Sequence, residues 1–146
     1  MTPQVKLTVV ERQGRKCVST GSPWEPVVGY SRAVRSGDFI FVTGTVGLEA
    51  DGRYAPTAKA QGHRALEIIV AAVEALGGKA ADVVRTRIYV TDIDQWREVG
   101  EVHSEFFESI RPATTMVQVA RLIDPQALVE IEADALIRHD PEGRNA

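Results

Sequence analysis

Along VEIEADAL, residues 129–136, acids stand at every second position: Glu130, Glu132 and Asp134. A strand turns alternate side chains to opposite faces, so these carboxylates share one face, with Leu128 and Leu136, while Val129, Ile131, Ala133, Ala135 and Ile137 share the other. A row of acids supports two kinds of chemistry. Paired with cations across neighbouring strands, it forms ion pairs that contribute about 0.2–1 kcal/mol each. Partly desolvated in a cleft, a carboxylate holds its proton to higher pH and can orient water or shuttle protons. Cations for the first role are close in pattern: in VVRTRIYVT, residues 83–91, Arg85, Arg87 and Tyr89 alternate with Val84, Thr86, Ile88 and Val90. The stretch RPATTMVQVARL, residues 111–122, is read with Thr115, Val117 and Val119 toward the core and Thr114, Met116 and Gln118 beside the acids. With Phe39 and Phe41 added, the face mixes ions and apolar groups as subunit interfaces do.

Other polar residues read more simply. His103 falls on the apolar stripe of a helix and is expected to pack there, and Asp92 and Asp94 stand where a helix cap is needed. No further His or acid joins them at metal-ligand spacing, so neither a metal nor any other cofactor is expected. Trp24 and Glu25, in the Pro-rich GSPWEP, are read as a loop anchor, with a roof over a cleft as the alternative.

The elements that must position these groups follow from periodicity. A first strand is expected over Val5–Val10, then a loop through GSPWEP, then a hairpin from Tyr30–Arg35 through Ser36-Gly37-Asp38 to Phe39–Val46. From about Ala58 to Leu76, Leu66, Ile69, Val73 and Leu76 recur at helical spacing and Gly77-Gly78 stops the helix. A strand over Asp82–Asp92 precedes a second helix with Trp96, Val99, His103 and Phe106 on one stripe, and residues 111–137 read as two strands joined by a short turn. Two amphipathic helices on one face of one mixed sheet define an α+β layer. One domain spans 1–138, and the polar residues 139–146 read as a frayed tail.

Composition narrows the function. With 17 basic against 20 acidic residues, a formal charge of -3 and no Lys/Arg run, nothing in the chain attracts nucleic acid or an anionic membrane. The lone Cys17 excludes an intrachain disulfide and fits a reducing, cytoplasmic setting; no stretch has the length and apolarity of a signal peptide or a membrane span.

GYSRAV, DFIFVTGTVG, DVVRTRIYVTDIDQW, the Phe106-Phe107 pair, RPATTMVQVARL and VEIEADAL, taken in order over Tyr30–Ile137, resemble the RidA (YjgF) family of imine deaminases, once described as ribonucleases. The resemblance implies a chorismate-mutase-like α+β fold and a homotrimer whose sheets face inward, with ligand clefts between subunits. It implies that Tyr30 is a pocket tyrosine, that the Gly44 backbone approaches the ligand and that Glu130 positions water. Where the family carries a carboxylate-clamping arginine this chain has Thr114, and Met116 and Gly100 replace a pocket cysteine and a helix asparagine. Arg32 and Arg111 are the nearest guanidinium groups able to hold a carboxylate instead. Three functions follow: hydrolysis of a small imine or enamine, binding of a small metabolite without turnover, and ribonuclease action, which the acidic balance opposes.

Overall fold

The structure, a computed structural model, describes residues 4–140. Seven strands form one sheet: β1 (Thr8–Arg12), β2 (Arg15–Ser19), β3 (Ala33–Ser36), β4 (Phe39–Val46), β5 (Val83–Val90), β6 (Ala113–Gln118) and β7 (Val129–Leu136). Their order is β1-β2-β3-β4-β7-β5-β6, with β5 and β6 parallel and every other pair antiparallel. Three α-helices join them: α1 (Trp24–Val28), α2 (Ala58–Ala75) and α3 (Trp96–Phe107). The fold is α+β with one mixed sheet, as the periodicity requires.

The two long helices cover one face. Leu66, Ile69 and Val73 of α2 and Val99, Val102 and Phe107 of α3 are buried against Ile40, Ile88, Ile131 and Ala133. Thr57 caps α2, its Oγ1 accepting from the Ala60 amide at 3.1 Å. At the other end Gly77 turns at φ +90°, and Arg35 Nη1 donates to the Leu76 carbonyl at 2.8 Å, closing an otherwise orphaned acceptor. On β7, Val129, Ile131, Ala133 and Ala135 are buried and the acids lie on the other face, as the alternation predicts.

Five details differ from the sequence reading. The first strand lies at Thr8–Arg12 and is followed by an unanticipated β2, because Gln13 and Gly14, at φ +53° and +74°, make a tight hairpin turn between charge-rich strands. GSPWEP is not all loop: α1 starts at Trp24. A bulge between Val83 and Arg85 buries Val83 and exposes Val84. Trp96, at the first turn of α3, is exposed and stacks on Arg97 instead of joining the buried stripe. Finally, β6 and β7 do not pair; β5 lies between them, and its register sets Thr86 beside Thr114 and Ile88 beside Met116. Thr114, Met116 and Gln118 therefore face the helices, one residue out of phase with the expectation, while Thr115 and Val117 share the acidic face. Of the expected tail, His139 holds Asp38, Nε2 to Oδ1 at 2.8 Å, and residues 141–146 lie outside the described residues.

Candidate functional site

A carboxylate placed over a bulge is the centre of the site. β4 pairs Val42 with Ala133 and Thr45 with Ile131, so Thr43 and Gly44 together oppose Glu132. The bulge drops the Gly44 backbone under β7, and the Glu130 side chain folds over it: a Cβ at position 44 would stand 2.6 Å from Glu130 Oε1. Glycine here leaves the Glu130 carboxylate its place: a side chain at position 44 would have to push the carboxylate aside.

Glu130 has no side-chain hydrogen bond among the described residues. Burial raises its pKa above the ordinary 4.5; Arg32 pulls it back down and Glu132 pushes it up, both by charge. Arg32 is itself buried and largely committed. Its Nη1 donates to the Gly44 carbonyl at 2.8 Å and to Thr45 Oγ1 at 3.2 Å, and its Nε to Thr20 Oγ1 at 3.3 Å. Thr20 in turn donates to the buried carboxylate of Glu25, whose Oε2 also accepts from the Ser22 amide at 2.8 Å. Glu25 is thus an anchor, and it shapes the site: the carbonyl of Glu25 receives the amides of Gly29, at φ +85°, and of Tyr30. The short helix α1 hands Tyr30 to the cavity with its ring 5.6 Å from the Arg32 guanidinium carbon.

Tyr30, Arg32, Gly44 and Glu130 line one small cavity of about 40 Å³ with Trp24, Tyr54 and Asp124. Four of the seven residues singled out in the sequence are thereby brought together. Arg111, Thr114 and Met116 are not. Arg111, at φ +53°, ends the helical segment after α3, its amide bonded to the Phe107 carbonyl and its Nε to the Glu108 carbonyl at 3.2 Å. Thr114 Oγ1 lies 2.8 Å from Thr86 Oγ1 and donates to the Pro112 carbonyl at 3.2 Å, and Met116 packs on the core. Within one chain Thr114 and Met116 sit on the opposite face and two strands away from Glu130, and Arg111 lies ahead of β6. His103 serves the packing expected of it: Nε2 is 2.8 Å from the buried Thr86 hydroxyl, its ring tilts on Phe107 at 4.8 Å, and burial lowers its pKa.

Tyr54, Asp124 and Gln61 escaped the sequence reading, and Asp124, in the turn that leads to β7, carries no periodic signal. Tyr54 sits after a turn and gives no periodic signal. Gln61 is buried on the apolar side of α2, a polar residue where the stripe calls for an apolar one. Its Nε2 donates to the carbonyls of Ala55 at 2.8 Å and Gln126 at 3.0 Å, and its Oε1 accepts from the Leu128 amide at 2.8 Å. One amide therefore ties the loop that carries Tyr54 to the loop that leads into Glu130.

Residues 20–137 match the family described as Endoribonuclease L-PSP. The chain belongs to that family. Among its relatives is a mite protein, from Dermatophagoides farinae, named 2-iminobutanoate/2-iminopropanoate deaminase; it is 31% identical over 125 residues, 84% of this chain and 97% of that protein. The crystal structure of Rv2704 from Mycobacterium tuberculosis, described as a member of the YjgF/YER057c/UK114 family, is 54% identical with a TM-score of 0.79 and covers 84% of this chain and 99% of that one. The structure of TdcF from E. coli with bound serine is 28% identical with a TM-score of 0.70, over 75% of this chain and 88% of that one. These L-PSP relatives agree with the resemblance read from residues 30–137. No helix among the described residues is long and apolar enough to cross a membrane.

Proposed function

We propose that this L-PSP family member hydrolyses a small imine or enamine, with Glu130 as the proton carrier. The observation that carries this reading is the Glu130 carboxylate, lodged over Gly44 at a small cavity, without a hydrogen-bonding side chain and with its pKa raised by burial. A carboxylate so placed takes a proton from water as the new C–O bond forms at the imine carbon. It returns that proton to nitrogen, giving a carbinolamine, then takes the proton of the new hydroxyl and passes it to the same nitrogen as the carbonyl forms and the C–N bond breaks, releasing ammonia. The relative named as a 2-iminobutanoate/2-iminopropanoate deaminase supports small imino acids as the substrate class, and the bound serine of TdcF supports a pocket of amino-acid size. A polyanion such as RNA fits poorly beside Glu130 and Asp124 in a chain of net charge -3.

The reading includes assembly. The sheet face opposite the helices exposes Phe39, Phe41 and Leu136 beside the ion pairs of Arg87 with Asp134 and Glu132, at 3.4 and 3.8 Å, and the Tyr89 hydroxyl donates to Glu132 at 2.6 Å. We propose a homotrimer that covers this face, with ligand clefts between its copies as the family resemblance implies. Arg87→Glu places a third negative charge beside two acids, so it is expected to shift the protein toward monomer in light scattering at micromolar concentration. An unchanged assembly would remove Arg87 from the interface.

The function is tested by generating 2-iminopropanoate in the cuvette from serine with a serine dehydratase and following pyruvate. With Thr114 where the family carries its carboxylate-clamping arginine, the native chain at catalytic concentration is expected to accelerate the release of pyruvate only weakly. No acceleration for this imine or its homologues, together with a thermal shift on adding serine or a 2-oxo acid, would leave a binding protein and remove the hydrolase.

A further inference from the structure

Tyr54 lines the Glu130 cavity, yet its hydroxyl has no hydrogen-bond partner among the described residues. Its loop is held at two points. Leu48 and Tyr54 form an isolated bridge across the turn, where Gly52 adopts φ +82° and the Glu49 amide meets the Arg53 carbonyl at 2.9 Å. The next carbonyl, of Ala55, is held by Gln61. The ring is thus delivered to the cavity by a fixed backbone, yet its hydroxyl is enclosed by protein and has no hydrogen-bond partner among the described residues. Packing alone does not account for this group. A phenylalanine would fill the same space without a buried O–H, whereas an unpaired buried polar group is costly and uncommon in native proteins.

The surroundings say what such a hydroxyl is suited to meet. Burial, then the charges of Asp124 and Glu130, push its pKa up to about 12, so it stays a neutral O–H donor wherever Glu130 titrates. Asp124 is partly spent, its Oδ1 accepting from the Gln126 amide at 2.9 Å. The cavity, about 40 Å³, exceeds the roughly 10–15 Å³ that one water needs. A carboxylate offers an acceptor and a phenol offers a donor. Together they suit an atom that both donates and accepts, which a water does and an apolar group does not.

We propose that Tyr54 is a positioning residue of this site, its hydroxyl and the Glu130 carboxylate holding between them the one water that Glu130 deprotonates. The hydroxyl is enclosed where it stands, so sharing that water requires the ring, which lines the cavity, to turn its tip toward Glu130. Tyr54 then fixes the lone-pair direction of the water while Glu130 takes its proton. This inference rests on the reading of Glu130 as the proton carrier.

Two measurements test it. A crystal structure of the native chain at a resolution that shows ordered water is expected to place one water within hydrogen-bond distance of both Tyr54 Oη and Glu130; a dry cavity, or a Tyr54 hydroxyl bonded directly to Asp124, overturns the inference. Tyr54→Phe is expected to lower kcat for imine hydrolysis about tenfold, the loss of one hydrogen bond in the transition state, with KM little changed and a melting temperature equal to or above that of the native chain. Unchanged kcat with raised melting temperature would make the hydroxyl a packing misfit. Turnover lost in Glu130→Gln but kept in Tyr54→Phe retains the proton carrier and removes Tyr54. If the native chain has no turnover, the hydrolase reading falls, and the crystal structure alone decides whether Tyr54 and Glu130 share a water.

Discussion

Glu130→Gln is expected to lower imine turnover roughly a hundred- to ten-thousand-fold, the usual contribution of a general acid or base, while the variant melts no lower than the native chain at pH 7. The two halves of this expectation come from one feature. Because burial raises the folded-state pKa of Glu130, its ionisation is harder in the folded protein than in the unfolded one. Below the unfolded pKa, near 4.5, both states are protonated and the group contributes nothing to the pH dependence; above the raised folded pKa the cost is fully present. At neutral pH glutamine removes that cost and keeps the same bulk over Gly44, so stability holds or rises as chemistry is lost. The pH profile gives a second readout. Native activity should appear as pH rises through a value above 4.5, because the ionised carboxylate is the base, and the variant's residual rate should lack that limb. Loss of activity accompanied by a large fall in melting temperature would mean that Glu130 serves the fold instead.

The parts of this site that were legible in the sequence are those with a regular repeat beneath them. β7 alternates because the helices bury one face and leave the other to acids, so a period of two separates Glu130 from Ile131 without ambiguity. The helix over 58–75 shows because its stripe has one side to bury. β2 was hidden: Arg15 and Lys16 interrupt the apolar pattern at the sheet margin, and only the Gln13-Gly14 turn signals the hairpin. The phase of β6 was hidden for a related reason. It is an edge strand with both faces largely exposed, so Thr114 and Thr115 carry no burial signal, and only its parallel pairing with β5 decides which one faces the helices. The pairing of Glu130 with Gly44 was not legible at all as a contact, since it depends on a bulge that drops one residue of β4 out of register.

The Gln61 amide points to the largest stability effect. Gln61→Leu keeps an apolar side chain of similar reach in the core of α2 but removes both donations, to Ala55 and Gln126, and the acceptor of the Leu128 amide. Each buried partner left unpaired costs about 1–3 kcal/mol. Some will regain water as the loops relax, so a total of about 3 kcal/mol is expected, which for a chain of this size lowers the melting temperature by about 10 °C. Gly47, just after β4, packs on the Gln61 backbone so closely that a Cβ there would collide with it, so α2 is held at this point. The damage therefore passes to the two loops that Gln61 joins, one carrying Tyr54 and the other leading through Asp124 to Glu130. Turnover and stability should fall together, the reverse of Glu130→Gln, where turnover falls and stability holds. Gln61→Glu separates the terms further: ionised, it sets a buried carboxylate against the Ala55 and Gln126 carbonyls and should destabilise more than leucine, whereas protonated at low pH it keeps the acceptor for the Leu128 amide and one donation, so its melting temperature should rise relative to that of Gln61→Leu as pH falls. Differential scanning calorimetry of the native chain and both variants decides the matter, and a Gln61→Leu protein that melts within a degree or two of the native one would show that the two loops hold their places without it.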